Sequence, residues 1–194
     1  MASEPSADSR YLRDSVQRAV KIAVVGPFGV GKTSLVSVLS EIEPLRTEEV
    51  MTQASIAVDD LAGLNNKTTT TVAMDFGRLT LNDQLVLYLF GAPGQARFQR
   101  LWHDLVHGAL GALVLADTRR LDQSFDVIDW LEEARVPYAI AVNDFPDAPT
   151  YDSHQLRAAL DLLPGTPLTV CDARNRHSAR DALVTLVTHL HTLS

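Results

Sequence analysis

The stretch GPFGVGKT, residues 26–33, is the part of this 194-residue chain best equipped for chemistry. It matches the pattern G-x-x-x-x-G-K-[ST] at Gly26, Gly31, Lys32 and Thr33. Glycines let a backbone wrap an anion without a Cβ in the way, and the amides at a helix N-terminus supply donors to it. On this reading Phe28, Gly29, Val30, Gly31 and Ser34 line a phosphate chain. Lys32 neutralises the terminal phosphates, and the Thr33 hydroxyl ligates Mg²⁺. The ligand implied is a nucleoside triphosphate with its metal.

Other chemically capable residues carry less. His103 and His107 stand one helical turn apart, but the zinc-protease pattern needs glutamate where Asp104 stands, and no third ligand is suggested. The single cysteine, Cys171, excludes an intramolecular disulfide, which fits a reducing cytosol. Its apolar neighbours point to a structural thiol. Arg119, Arg120 and the Arg174, Arg176 and Arg180 group are candidates for a local basic patch, with solvated surface the simpler expectation. Trp102 and Trp130 are expected to pack helices onto a sheet; an exposed Trp102 would instead mark a partner surface.

The phosphate loop needs a strand before it and a helix after it, and the pattern supplies both. Residues 19–25 (AVKIAVV) form a short apolar run, and residues 32–41 carry apolar positions at helical spacing until Pro44. Residues 45–67 show no clear period and are expected to be mainly a long loop. Strand-like runs at 71–81 and 84–90, joined at Asn82–Asp83, predict a hairpin. Helices to about 107, over 122–133, 153–162 and 178–193 then alternate with strands at 110–116, 137–142 and 168–170. This order predicts an α/β fold: a mostly parallel six-stranded sheet with one antiparallel hairpin pair and helices on both faces. Ligands of such sheets sit at the carboxyl ends of the strands. Residues 1–18 are polar and predicted to be a flexible tail; residues 19–194 form one nucleotide-binding domain.

A net charge of −7 argues against a general nucleic-acid or membrane-surface footprint. No apolar run reaches membrane-spanning length, MASEPSADSR lacks a signal-peptide core, Ala2 replaces a myristoylated glycine, and HTLS offers no prenylation cysteine. The expectation is a cytoplasmic protein without its own membrane anchor, recruited to a membrane only through a partner.

TVAMDF (71–76) resembles the switch I strand of small Ras-like GTPases, and LFGAPGQARF (89–98) resembles their switch II. AVNDF (141–145) stands where the base-recognition Asn-Lys-x-Asp belongs, and CDAR (171–174) where the Ser-Ala-Lys loop belongs. Closer still, KTTTTVAMDFG, LYLFGAPGQ, DTRRL and CDARNR resemble the conservon-type (CvnD-like) GTPases of actinomycetes, related to the bacterial MglA-like branch. The resemblance covers about residues 20–194. It implies a bacterial switch that binds GTP and GDP with Mg²⁺, a roadblock-domain partner and a sensor-kinase-like membrane protein. It also implies that Thr71 ligates Mg²⁺ in the triphosphate state, Gly94 gives its amide to the γ-phosphate and Gln95 orients the attacking water. Asn143, Ala173 and Arg174 would serve the base.

Three departures qualify it. The switch II aspartate is replaced by Gly91, and Asp75 would take its place from the neighbouring strand; the alternative is a solvent-facing strand carboxylate. Phe28 stands where Ras-like enzymes keep glycine, crowding the γ-phosphate and the path of an arginine finger, which implies slow hydrolysis or an unusual activation geometry. Arg97 is a candidate finger in cis, weighed against an ordinary exposed helix-start arginine. At the base motif the lysine is Asp144 and the aspartate is Pro146, with Asp147 one residue late, so either the loop shifts to let Asp147 or Asp144 reach the base or guanine selectivity is reduced. Proline has no side-chain acceptor for guanine's N–H donors. Two function classes stay open: a slow GTPase switch, and a nucleotide-responsive interaction module with little hydrolysis or relaxed base selectivity. A metabolic P-loop kinase fits less well, since no acceptor-substrate lid is evident.

Overall fold

Apolar runs without polar alternation become strands buried on both faces. The computed structural model describes residues 16, 18–43, 45–52, 69–93 and 99–193, with backbone alone at 45–52, 69–73, 99–101 and 103. In it β1 (Arg18–Val25) turns Ile22 and Val24 to one side and Ala23 and Val25 to the other, all fully buried. The remaining strands are β2 (Leu45–Thr52), β3 (Thr69–Asn82), β4 (Leu85–Gly91), β5 (Gly111–Ala116), β6 (Tyr138–Asn143) and β7 (Leu168–Cys171). Helices are α1 (Lys32–Leu39), α2 (Gln99–Val106), α3 (Phe125–Glu133), α4 (Ser153–Ala159) and α5 (Arg176–Thr192). A 3-10 turn, Leu121–Ser124, leads into α3, so the helix expected from 122 begins as a tighter coil.

The sheet runs β2-β3-β4-β1-β5-β6-β7. β1 pairs in parallel with both β4 and β5, and β5-β6 and β6-β7 are also parallel. The α/β, mostly parallel architecture expected from sequence is present. It has seven strands rather than six. The extra one is β2, which lies where a loop was expected and runs antiparallel to β3 from Leu45↔Phe76 to Thr52↔Thr69. The antiparallel part is therefore a three-strand meander, since β3 also pairs antiparallel with β4.

One apolar layer, under α1 and α5, gathers Ile22, Val24, Leu35, Leu113 and Leu186. The other, under α2, α3 and α4, gathers Val25, Trp102, Val114, Leu131 and Leu156. Trp102 is buried and meets Trp130 edge-on at 5.4 Å, so it packs α2 against α3 and is not an exposed partner-surface residue. Cys171 is buried too, and that burial pushes its thiol up to about 12, with Asp172 and Asp144 adding to the effect; it is a structural residue. Among the described residues no helix is long and apolar enough to cross a membrane. Residues 1–15 and 17, most of the expected tail, lie outside the described residues.

Candidate nucleotide site

The chain direction reverses its way across the sheet at β1, and the crevice beyond the carboxyl ends of β1, β4 and β5 is where such folds bind ligands. The loop 26–31 fills its floor. Gly26 (φ 136°) and Gly31 (φ 107°) sit in backbone conformations that side chains rarely adopt. A Cβ at Gly26 would fall 2.3 Å from the Leu115 carbonyl oxygen, and one at Gly31 2.8 Å from Asn143 Nδ2. Both glycines are required by close approach as well as by torsion. Gly31 caps α1 without any side-chain hydrogen bond to the helix amides. Those amides are the donors an anion would take.

Lys32 opens α1 and is only 9% exposed. Its Nζ donates to the carbonyls of Gly26 (2.8 Å) and Pro27 (2.7 Å), folding the ammonium back under the loop. Burial pushes its pKa down to about 8, opposed by the negative charge of Asp75. Val30 is buried, and Thr33 and Ser34 are exposed at the start of α1. Phe28, within the loop, is 67% exposed.

Thr33 Oγ1 donates to Asp75 Oδ2 at 2.5 Å. Asp75 belongs to β3 and lies directly opposite Gly91 of β4. A Cβ at Gly91 would come within 3.1 Å of Asp75 Cβ and 3.2 Å of its Oδ2. The glycine where a carboxylate was expected is thus the hole into which Asp75 fits. Asp75 is buried, not solvent-facing. A hydroxyl and a carboxylate side by side form a hard oxygen donor set suited to Mg²⁺, which binds one or two protein oxygens and keeps several waters. The donor set at this point fits that metal.

Thr71 lies four residues up the same strand, paired with Val50; at about 3.3 Å per residue its backbone stands roughly 13 Å from that of Asp75. Gly94, Gln95 and Arg97 lie outside the described residues.

At the base end, Asn143 is 5% exposed and bridges two loops. Its Nδ2 donates to the Val30 carbonyl (2.9 Å), and its Oδ1 accepts from the Ala173 amide (2.9 Å). That amide, expected to serve a base oxygen, is therefore engaged within the protein. Arg174 is exposed, and its Nε and backbone N–H both donate to Asp172 Oδ1 at 2.9 Å. Asp147 is exposed, and its charge acts on Arg119.

Sequence reasoning missed Asp117. It follows β5, is fully buried, and accepts from Arg119 Nε (2.9 Å), Arg119 Nη2 (2.7 Å) and Arg120 Nη2 (3.3 Å). The Arg119 hydrogen bond, working against burial, holds its carboxyl below the usual range. Arg119 also stacks on the Phe145 ring at 3.8 Å. Arg120 Nη2 reaches the Phe28 carbonyl at 3.4 Å. Arg119 is thus tied into the fold beside the site and Arg120 rests against it by longer bonds, while Arg176 donates to Val38 on α1 (3.2 Å), well apart from them in the chain. A run of two arginines after an apolar strand carries no signal that distinguishes such anchoring from solvated surface.

The same fold occurs in proteins of known structure. The G domain of the T. maritima FeoB iron transporter superposes with a TM-score of 0.61 at 19% identity, over 89% of this chain and 99% of that one. The FeoB G-domain from Methanococcus jannaschii gives 0.62 at 13% identity, over 90% and 99%. The cytosolic domain of the T. maritima transporter in a GDP form gives 0.62 at 19%, over 90% of this chain and 64% of that one. No curated protein matches. The family model described as "conserved hypothetical ATP binding protein" matches residues 24–192, from the end of β1 to the end of α5, and the chain belongs to that family.

Proposed function

We propose that this chain is a nucleotide-dependent switch of the P-loop GTPase type that binds GTP and GDP with Mg²⁺ and hydrolyses GTP slowly. The observation that carries the reading is the Thr33–Asp75 oxygen pair, set beside Lys32 at the head of α1 and closed over Gly91. Thr33 and Asp75 would hold the metal, which would supply charge neutralisation across the β- and γ-phosphates. Lys32, released from the carbonyls of Gly26 and Pro27, would meet those phosphates, and the α1 amides would complete the cradle. Gly94 and Gln95 are assigned to the γ-phosphate and the attacking water. Phe28, exposed on the phosphate loop, would crowd the approach of an activator's arginine and slow turnover. By resemblance to the conservon-type GTPases, the switch acts in the bacterial cytoplasm with a roadblock-domain protein and a sensor-kinase-like membrane complex.

A second reading has its own support. Pro146 removes the carboxylate acceptor, and the Ala173 amide is engaged by Asn143. The family's description names ATP. A nucleotide-responsive module with relaxed base choice fits these facts. Affinities for GTP, GDP, ATP and ADP, each with Mg²⁺ and with chelator, separate the two. Tight guanine binding and phosphate release slower than about one turnover per minute support the switch. Equal affinity for ATP and GTP defeats its guanine selectivity, and fast unassisted hydrolysis defeats the role given to Phe28.

A further inference from the structure

Asp117 is one buried carboxylate facing two guanidinium groups. They do not share it equally. Arg119 takes it in a two-pronged grip at 2.7 and 2.9 Å and adds its backbone amide at 3.0 Å. Arg120 reaches it by one nitrogen at 3.3 Å. Charge-assisted guanidinium–carboxylate bonds run near 2.7–2.9 Å, so Arg119 neutralises Asp117 and Arg120 is the surplus cation. The second hold on Arg120 is also long, 3.4 Å to the Phe28 carbonyl. The same Nη2 lies 3.8 Å from where a Cβ on Gly29 would stand. A loosely held, 39% exposed guanidinium therefore rests on the outer turn of the phosphate loop. It lies on the loop's backbone, while the Phe28 ring stands out towards solvent.

We propose that Arg120 is a built-in phosphate-contacting arginine, which exchanges its two long hydrogen bonds for the terminal phosphates of a bound triphosphate and stabilises the charge that develops there. The proposal rests on the nucleotide reading above. In hydrolysis a water oxygen bonds to the γ-phosphorus as the bond from that phosphorus to the β,γ-bridging oxygen breaks. The bridging oxygen leaves with the electron pair, and the water's proton ends on the released phosphate. Negative charge grows on the β-phosphate, and a guanidinium donor is most valuable at that point. An arginine brought by a partner must pass Phe28; Arg120 is already on the loop.

The test compares wild type with Arg120→Ala and Arg120→Lys. Three quantities are read: GDP affinity, affinity for a slowly hydrolysed GTP analogue, and single-turnover phosphate release. The GDP–aluminium fluoride complex is measured alongside. For Arg120→Ala the expected result is phosphate release slowed at least tenfold, a lost aluminium fluoride complex and GDP affinity within threefold of wild type. Lysine should restore only part of the rate, because it keeps the charge but not the fork. Release and fluoride binding within twofold of wild type would overturn the proposal. So would equal losses of GDP and analogue affinity, the mark of a residue that only braces the loop. A wild type that binds no nucleotide refutes the nucleotide reading and this assignment with it. Binding with unmoved rates and unmoved analogue affinity refutes the assignment alone.

Discussion

Placing a carboxylate on Gly91 while Asp75 remains should be severely unfavourable, and moving the carboxylate from one residue to the other should not. The two face each other across β3 and β4, and a Cβ at Gly91 would already sit 3.1 Å from Asp75 Cβ. Two charges about 4 Å apart repel by about 4 kcal/mol at an effective dielectric constant near 20. Gly91→Asp alone is therefore expected to lose about that much stability in chelator, a large share of a small domain's total. Asp75→Ala removes the oxygen beside Thr33, and its GTP affinity in Mg²⁺ should fall to the value measured in chelator. The double variant Asp75→Gly/Gly91→Asp carries one carboxylate on β4, pointing into the space the other has left. It should regain stability and metal dependence, so the cycle shows strong coupling of the kind neighbouring residues give. Denaturant unfolding with and without Mg²⁺, together with nucleotide titrations, measures each corner. Additive effects in the cycle, or undiminished metal dependence in Asp75→Ala, would refute the reasoning.

Asn143→Ala strands the Val30 carbonyl and the Ala173 amide in a buried site, and a loss of about 2–4 kcal/mol is expected in denaturant unfolding, with weaker binding of all nucleotides alike. Lys32 makes the nucleotide-free protein pH-sensitive. Its folded pKa is about 8 against 10.5 in the unfolded chain, so the unfolded state binds more protons between these values and stability rises with pH across that window. Cys171 and Tyr138, both raised by burial, oppose this above about pH 9, so the rise should be clearest from pH 8 to 9 in thermal melts. Lys32→Met should abolish it.

Much of this was legible in the chain. The run AVKIAVV and the spacing of Gly26, Gly31, Lys32 and Thr33 specify a strand, a tight loop and a helix through local sterics alone. LGALVLA reads as a buried strand for the same reason. β2 was not legible, because LRTEEVMT has neither a clean period nor an apolar run. It is a strand by virtue of its eight-residue register against β3, a non-local cause. The compensation of Gly91 by Asp75 could be raised from sequence only as one of two alternatives; deciding it needed the cross-strand pairing. Asp117 was invisible, since burial distinguishes it from any other aspartate after a strand.

The edge-on contact between Trp102 and Trp130 has a practical consequence. They are the chain's two tryptophans, one on α2 and the other on α3. Helix α2 starts at Gln99, just beyond the segment that bears Gly94 and Gln95. A shift of α2 that follows that segment would separate two indoles now packed against each other and admit water between them. The intrinsic emission of the unlabelled protein would then move to longer wavelength, giving an optical signal for a nucleotide-driven change in α2.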